Sequence, residues 1–209
     1  DALPPVAAPP DSATGQGGQS NPRSVDELTA ADFAGQGELD FKAGKYESAS
    51  RNFRHALVDD PANAAVLMML SQSLFAMGQY DEAAGATAMA MQSLPQDKWG
   101  VVVENRQQLY GNARDYADQL RSLEKARDAK SDSPGLHFLL GFQYAFSGNP
   151  SGAASELDKV LQLEPRDQMA KALRDATKAK LDGTASPAGA SERGGTSPPP
   201  LQAPSRPQR

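Results

Sequence analysis

Between Ala30 and Leu181 the apolar residues recur at helical spacing, in runs broken by short polar or glycine-bearing stretches. The runs predict helix pairs over Asp32–Ala43 with Tyr46–Val58, Ala64–Ala76 with Tyr80–Ser93, Trp99–Tyr110 with Tyr116–Ala129, and Pro134–Phe146 with Ser151–Leu163. One pattern underlies them. Gly37, Gly44, Tyr46, Ala49, Phe53, Ala56 and Pro61 are answered 34 residues later by Ser71, Gly78, Tyr80, Ala83, Thr87, Ala90 and Pro95. A further copy, Gly141, Gly148, Pro150, Ala153, Leu157, Val160 and Pro165, follows 70 residues beyond the second. A fixed period of this length marks stacked helical hairpins, each burying its apolar face only against its neighbours.

The interval of 70 leaves room for one edited copy. Tyr116, Gln119, Leu123, Ala126 and Ser131 lie 36 residues after their counterparts in the second copy and 34 before those in the fourth. Two extra residues therefore fall between Val101 and Tyr116, in or near the turn Tyr110-Gly111-Asn112. Within each copy the small residues have a packing role. Gly37 and Gly141 permit close approach of paired helices, and Gly44, Gly78 and Gly148 suit left-handed helix ends. Phe53, Leu123 and Leu157 are the larger side chains filling the space between hairpins. After Pro165, Met169, Ala172, Leu173 and Ala176 form a weak apolar stripe. It predicts a terminal helix over Asp167–Leu181 with a polar outer face, read as the cap of the stack, or alternatively as a partner-binding helix.

Composition sharpens the boundaries. Of 16 prolines, the five inside the repeats (Pro61, Pro95, Pro134, Pro150, Pro165) fall at predicted helix starts or just past helix ends. The others crowd into the ends, where Pro, Gly, Ser, Ala and Gln predominate. Residues 1–24 and 183–209 are thus expected to be disordered, with a repeat domain over 25–182. Its units run over about 30–63, 64–97, 98–133 and 134–167, with the cap at 168–182. The chain begins at Asp1, which suggests a processed or truncated product. The absence of cysteine removes disulfides and thiolate ligands. The repeat block is acidic within a chain of net charge −5, which argues against a nucleic-acid partner. No apolar run approaches the roughly 20 residues of a membrane span.

At the repeat positions the sequence resembles the tetratricopeptide repeat family, over about Ala30 to Asp182. The resemblance implies an all-α, right-handed α-solenoid of four helical hairpins plus a C-terminal capping helix. Ser71 and Thr87 depart from the glycine and aromatic residue usual in the family, and Pro150 replaces a tyrosine, which should loosen packing locally. The edited copy, with Trp99, Leu109-Tyr110 and the run Asp115 to Glu124, is similar to bacterial members that carry an export signal and a low-complexity region before the repeats. That similarity implies a location outside the cytoplasm, in periplasm or envelope.

In this family the first helices of the hairpins line a concave groove. The resemblance places Ala34, Glu38, Phe41 and Lys42, then Ala65, Met68, Gln72 and Phe75, on that face. The later copies add Trp99, Val102, Arg106 and Leu109, and finally Phe138, Phe142 and Phe146. The groove is thus largely apolar, with Phe41, Met68, Phe75, Arg106, Phe138, Phe142 and Phe146 as the candidate peptide-binding set. The carboxylate clamp of the family's chaperone-tail binders is absent, since its positions hold Ala34, Glu38, Met69, Trp99 and Val103. Two readings of the groove stand side by side: a surface for an apolar peptide or helix, or residues packed among themselves in a short, tightly curved stack. Trp99 reads as an anchor of the edited hairpin.

Other candidate chemistry is sparse. His55 lies on an outward run with Arg51 and Arg54, and His137 reads as a packing residue. Two isolated histidines make no metal site. Gly35-Gln36-Gly37 lacks the preceding strand that a nucleotide loop needs, and no paired carboxylates mark a general acid and base. The expectation is a non-enzymatic scaffold with no cofactor, bound to a protein or peptide partner. The alternative is an envelope assembly protein acting through its convex face and Pro-rich ends.

Overall fold

The computed structural model describes residues 29–183. The disordered tails expected from the sequence lie outside the described residues, apart from Gly183. Among the described residues ten α-helices follow one another: α1 (Ala30–Lys42), α2 (Tyr46–Asp59), α3 (Ala64–Ala76), α4 (Tyr80–Ser93), α5 (Val101–Glu104), α6 (Arg106–Leu109), α7 (Asp115–Ala129), α8 (Pro134–Ser147), α9 (Pro150–Leu163) and α10 (Gln168–Leu181). A short 3₁₀ turn, Gln96–Lys98, precedes α5.

Helix starts are fixed by side-chain caps that satisfy otherwise unpaired N–H groups. Thr29 and Asp32 form a capping box on α1. Asn63 accepts from the Val66 N–H, Ser133 from Leu136 and Asp167 from Ala170. Pro150 opens α9 at its first position, while Asn149 caps the Gly152 N–H, so the departure from tyrosine leaves the hairpin intact. Gly44, Gly78 and Gly148 turn the chain between paired helices at φ of 74°, 76° and 100°.

Three antiparallel hairpins result: α1 with α2, α3 with α4, and α8 with α9. Their closeness is set by the glycines. A Cβ on Gly37 would stand 2.6 Å from the Phe53 ring, and one on Gly141 2.8 Å from Leu157 Cγ. In the second hairpin Ser71 occupies the equivalent place, and its hydroxyl bonds Thr87 Oγ1 at 2.6 Å and the Ala83 carbonyl at 3.1 Å. The two departures from the family pattern are thus partners, closing a polar contact inside an otherwise apolar seam. α2 packs on α3, and α10 covers α9 as the cap that the apolar stripe predicts.

The third unit is edited more deeply than a two-residue slip implies. The single helix expected over Trp99–Tyr110 is broken into α5 and α6 at Asn105. The Asn105 side-chain amide donates to the Val101 carbonyl at 2.8 Å, beside its own backbone N–H at 3.1 Å, and the ladder restarts beyond it. The Trp99 indole N–H points back to the Met91 and Leu94 carbonyls, at 2.9 and 3.0 Å, tying the segment to the end of α4. With this unit turned aside, α4 packs directly against α8. Gly135 lies in that seam, where a Cβ would stand 3.3 Å from Asp81 Oδ1 and 3.8 Å from the Ala84 Cβ of α4. The displaced residues run instead along the first helices, α6 against α1, α5 against α8, and α7 against α3 and α8.

Candidate functional site

The inner face is built by the first helices of the three hairpins. Phe138, Phe142 and Phe146 follow one another at four-residue spacing on α8, and Met68, Gln72 and Phe75 share one side of α3. Phe41 completes the face from α1. Phe138 also lines a cavity with Asp81, Ala84 and Ala88 of α4 and with Glu164 and Asp167. Arg106 lies on the displaced segment, its guanidinium 5.3 Å above the Tyr116 ring and its Nη1 donating to the Val103 carbonyl at 3.0 Å. Its expected inward place belonged to an unbroken helix. Trp99 is the buried anchor described above.

What covers this face is the chain itself. Tyr110 meets Phe41 edge-on, ring centroids 5.0 Å apart, and Tyr116 lies 5.7 Å from Tyr110 and 6.0 Å from Phe75. The rings thus run Phe41, Tyr110, Tyr116, Phe75, with Tyr46 flanking Phe41 at 5.1 Å. Each hydroxyl has a partner: Tyr46 donates to Asp115 Oδ2 at 3.0 Å, Tyr110 to Gln119 Oε1 at 2.8 Å, and Tyr116 to Gln143 Oε1 at 3.1 Å. Two glycines let the cover approach. A Cβ on Gly111 would overlap the Lys42 carbonyl oxygen, and one on Gly100 the Phe146 ring. Phe41, Met68, Phe75, Phe138 and Phe142 are buried, and Phe146 is half-buried at the rim beneath the Lys180 ammonium.

The cover contributes Trp99, Val103, Tyr110, Tyr116 and Leu123 to the core, all buried. At about 1.5–3 kcal/mol for each such side chain, the gross gain is on the order of 10 kcal/mol before ordering costs. Burial raises the tyrosine pKa values. Tyr116 is pushed up to about 12, Tyr46 reaches about 12 by burial with Asp115 adding to it, and Tyr110 rises further still. The seat is imperfect in one respect. The side-chain amide nitrogens of Gln72 and Gln143, on buried residues of α3 and α8, have no hydrogen-bond partner.

A second polar cluster sits where the cover leaves the face. His137 Nδ1 is 2.6 Å from Glu156 Oε2 and its Nε2 3.0 Å from the Ser131 carbonyl, while Arg127 pairs with the other oxygen of Glu156. Both ring nitrogens are engaged, so the imidazole has no free position for catalysis or a metal. The cluster ties the end of α7 to the last hairpin. His55 stacks on Phe33 at 5.0 Å, still exposed to solvent. Among the described residues, no three of His, Asp and Glu gather in a metal-binding group, and no helix is long and apolar enough to cross a membrane.

Sequence reasoning missed two things here. The Tyr110–Tyr116 pair belongs to the inner face although it comes from the turn and second helix of its unit. The only sequence signals were the two extra residues and an asparagine within a predicted helix. The His137–Glu156 contact joins residues 19 apart on paired helices and carried no local motif.

Residues 40–98 match the tetratricopeptide repeat model. No curated protein matches the sequence. Among solved structures, the first such domain of Spaghetti (RPAP3), bound to an HSP90 peptide, is similar at 15% identity, over 74% of this chain and 94% of that one, with a TM-score of 0.33. The second domain of human RPAP3, in complex with an HSP70 peptide, gives 19%, 71%, 94% and 0.33. MamA from Desulfovibrio magneticus RS-1 gives 15%, 74%, 86% and 0.32. The matched stretch runs from the end of α1 through α4, and over it this chain is similar to the tetratricopeptide repeat proteins.

Proposed function

We propose that the protein is a non-enzymatic protein-interaction scaffold whose inner face, formed by α1, α3 and α8, holds a peptide or helix. One observation carries this reading: the face already holds a helical segment, residues 99–129 of its own chain, through ring contacts and a tyrosine hydrogen bond. A surface that seats one amphipathic segment through aromatic anchors has the chemistry to seat another. Phe41, Met68, Phe75, Phe138, Phe142 and Phe146 are the receiving residues, and Arg106 belongs to the segment received.

A specific feature favours a second reading, assembly through the outer face. Val58 and Met89 are 73% and 51% exposed, and Met89 lines a cavity of about 430 Å³ with Leu57, Pro61, Leu67 and Leu70 between α2, α3 and α4. The experiment places a photoreactive phenylalanine analogue at Phe146 or at Val58 of the full chain and crosslinks in extract of the cells that make it. Adducts at 146 and none at 58 support the inner face, and the reverse supports the outer face. No adduct at either position removes the scaffold reading.

A further inference from the structure

We infer that residues 99–129 are an internal ligand, which closes the inner face in cis and exchanges with a helix of the same chemistry supplied in trans. The inference rests on the scaffold reading and names the occupant: an amphipathic helical segment bearing aromatic anchors at the Tyr110 and Tyr116 positions and hydrogen-bond acceptors beside them.

Three observations bear on it. The segment is not needed for continuity of the stack, because α8 packs directly on α4. Between its anchors, Trp99 at the end of α4 and Arg127 on Glu156, it meets the inner face through rings and hydroxyls, the contacts a separate peptide would make. The amide nitrogen of Gln143, whose Oε1 accepts from Tyr116, lacks an acceptor, as does that of Gln72 on α3, on residues 0% and 1% exposed. A partner that offers carbonyl or carboxylate oxygens there would satisfy donors that the resident segment leaves unpaired, and so has a route to outcompete it. The competition is otherwise set by the effective concentration of a tethered segment, on the order of millimolar. A partner equal to the resident segment therefore binds weakly, and opening the cover should tighten it.

The two cover glycines allow a test that leaves the receiving face unaltered. Gly111→Ala forces the cover from the Lys42 carbonyl, and Gly100→Ala forces it from Phe146. A labelled synthetic peptide of residues 99–129 is titrated into the full chain and each variant by fluorescence anisotropy, with amide exchange measured alongside. The expected result is faster exchange over 101–129, retained protection in α3, α4, α8 and α9, and at least tenfold tighter peptide binding than to the natural chain. If the cover loosens and the peptide binds no better, the inference is wrong. It is equally overturned if exchange over 101–129 is unchanged in both variants, since a segment seated by these contacts must lose protection when they are forced apart. Should either substitution unfold the chain, the segment is part of the core rather than a ligand, and the inference falls. Crosslinking at 146 that is equal in the natural and opened chains would sink the exchange idea while sparing the scaffold reading.

Discussion

Raising the pH tests the cover without altering a residue. Tyr116 is 7% exposed, its hydroxyl donates to Gln143, and burial pushes its pKa up to about 12 from an ordinary 10. Because the folded value lies above the unfolded one, the proton is held more tightly in the native state. The stabilisation is complete below pH 10 and is lost as pH rises from 10 through 12. A displacement of this size corresponds to about 2–3 kcal/mol. The assay is urea unfolding of the natural chain and of Tyr116→Phe across this range, with near-ultraviolet tyrosinate absorbance followed in parallel. At neutral pH Tyr116→Phe costs about 1 kcal/mol, for the lost hydrogen bond to a buried amide. Above pH 10 the natural chain falls more steeply than the variant, and because the loss of about 2–3 kcal/mol exceeds the initial lead of about 1 kcal/mol, the curves cross before pH 12. The other tyrosines are common to both proteins, so the difference reports Tyr116 together with its coupling to Tyr110. Parallel curves would refute the reasoning. So would full tyrosinate absorbance by about pH 10 with helicity intact, because buried phenols cannot ionise at their ordinary pKa.

Two further perturbations probe the framework around the cover. Thr87→Val leaves the buried Ser71 hydroxyl with the Ala83 carbonyl alone. It should cost about 1–2 kcal/mol in chemical denaturation, and the double variant Ser71→Ala/Thr87→Val should cost less than the sum of the singles. Glu156→Gln removes the charge shared by Arg127 and His137. Breaking a buried pair costs about 3–5 kcal/mol, and with the Arg127 side chain 23% exposed the expected loss is nearer 2 kcal/mol, read as a lowered thermal midpoint with faster amide exchange at the end of α7.

The regular hairpins were legible because their determinants are local and repeated. Gly37, Gly141, Phe53 and Leu157 meet within one hairpin, so a periodic reading finds both partners of each contact. Helix limits followed from Pro61, Pro134 and Pro150 and from the glycine turns, and most agree with the structure to within a residue or two. Ser71 and Thr87 looked like two separate departures. Their pairing became visible only in three dimensions, because a period compares each residue with its counterpart in other copies and not with its neighbour across the hairpin. The broken helix at Asn105 was hidden for a different reason. Its breakage depends on Trp99 being held at the end of α4 and Tyr110 against Phe41, contacts between units that no local propensity encodes.

That last difference decides how the inner face should be understood. An unbroken third helix would have stood in the stack between α4 and α8, adding Trp99, Arg106 and Leu109 to a longer, open groove. Broken at Asn105, it releases α8 to pack on α4, which shortens the stack. A three-hairpin stack without the cover would lose the rings that pack on Phe41 and Phe75, opening apolar surface on the inner face. The same edit that shortens the stack supplies Tyr110, Tyr116 and Leu123 to close it. Cover and face are therefore one device: the rings of Phe41 and Phe75 on the face and those of Tyr110 and Tyr116 on the segment close against each other.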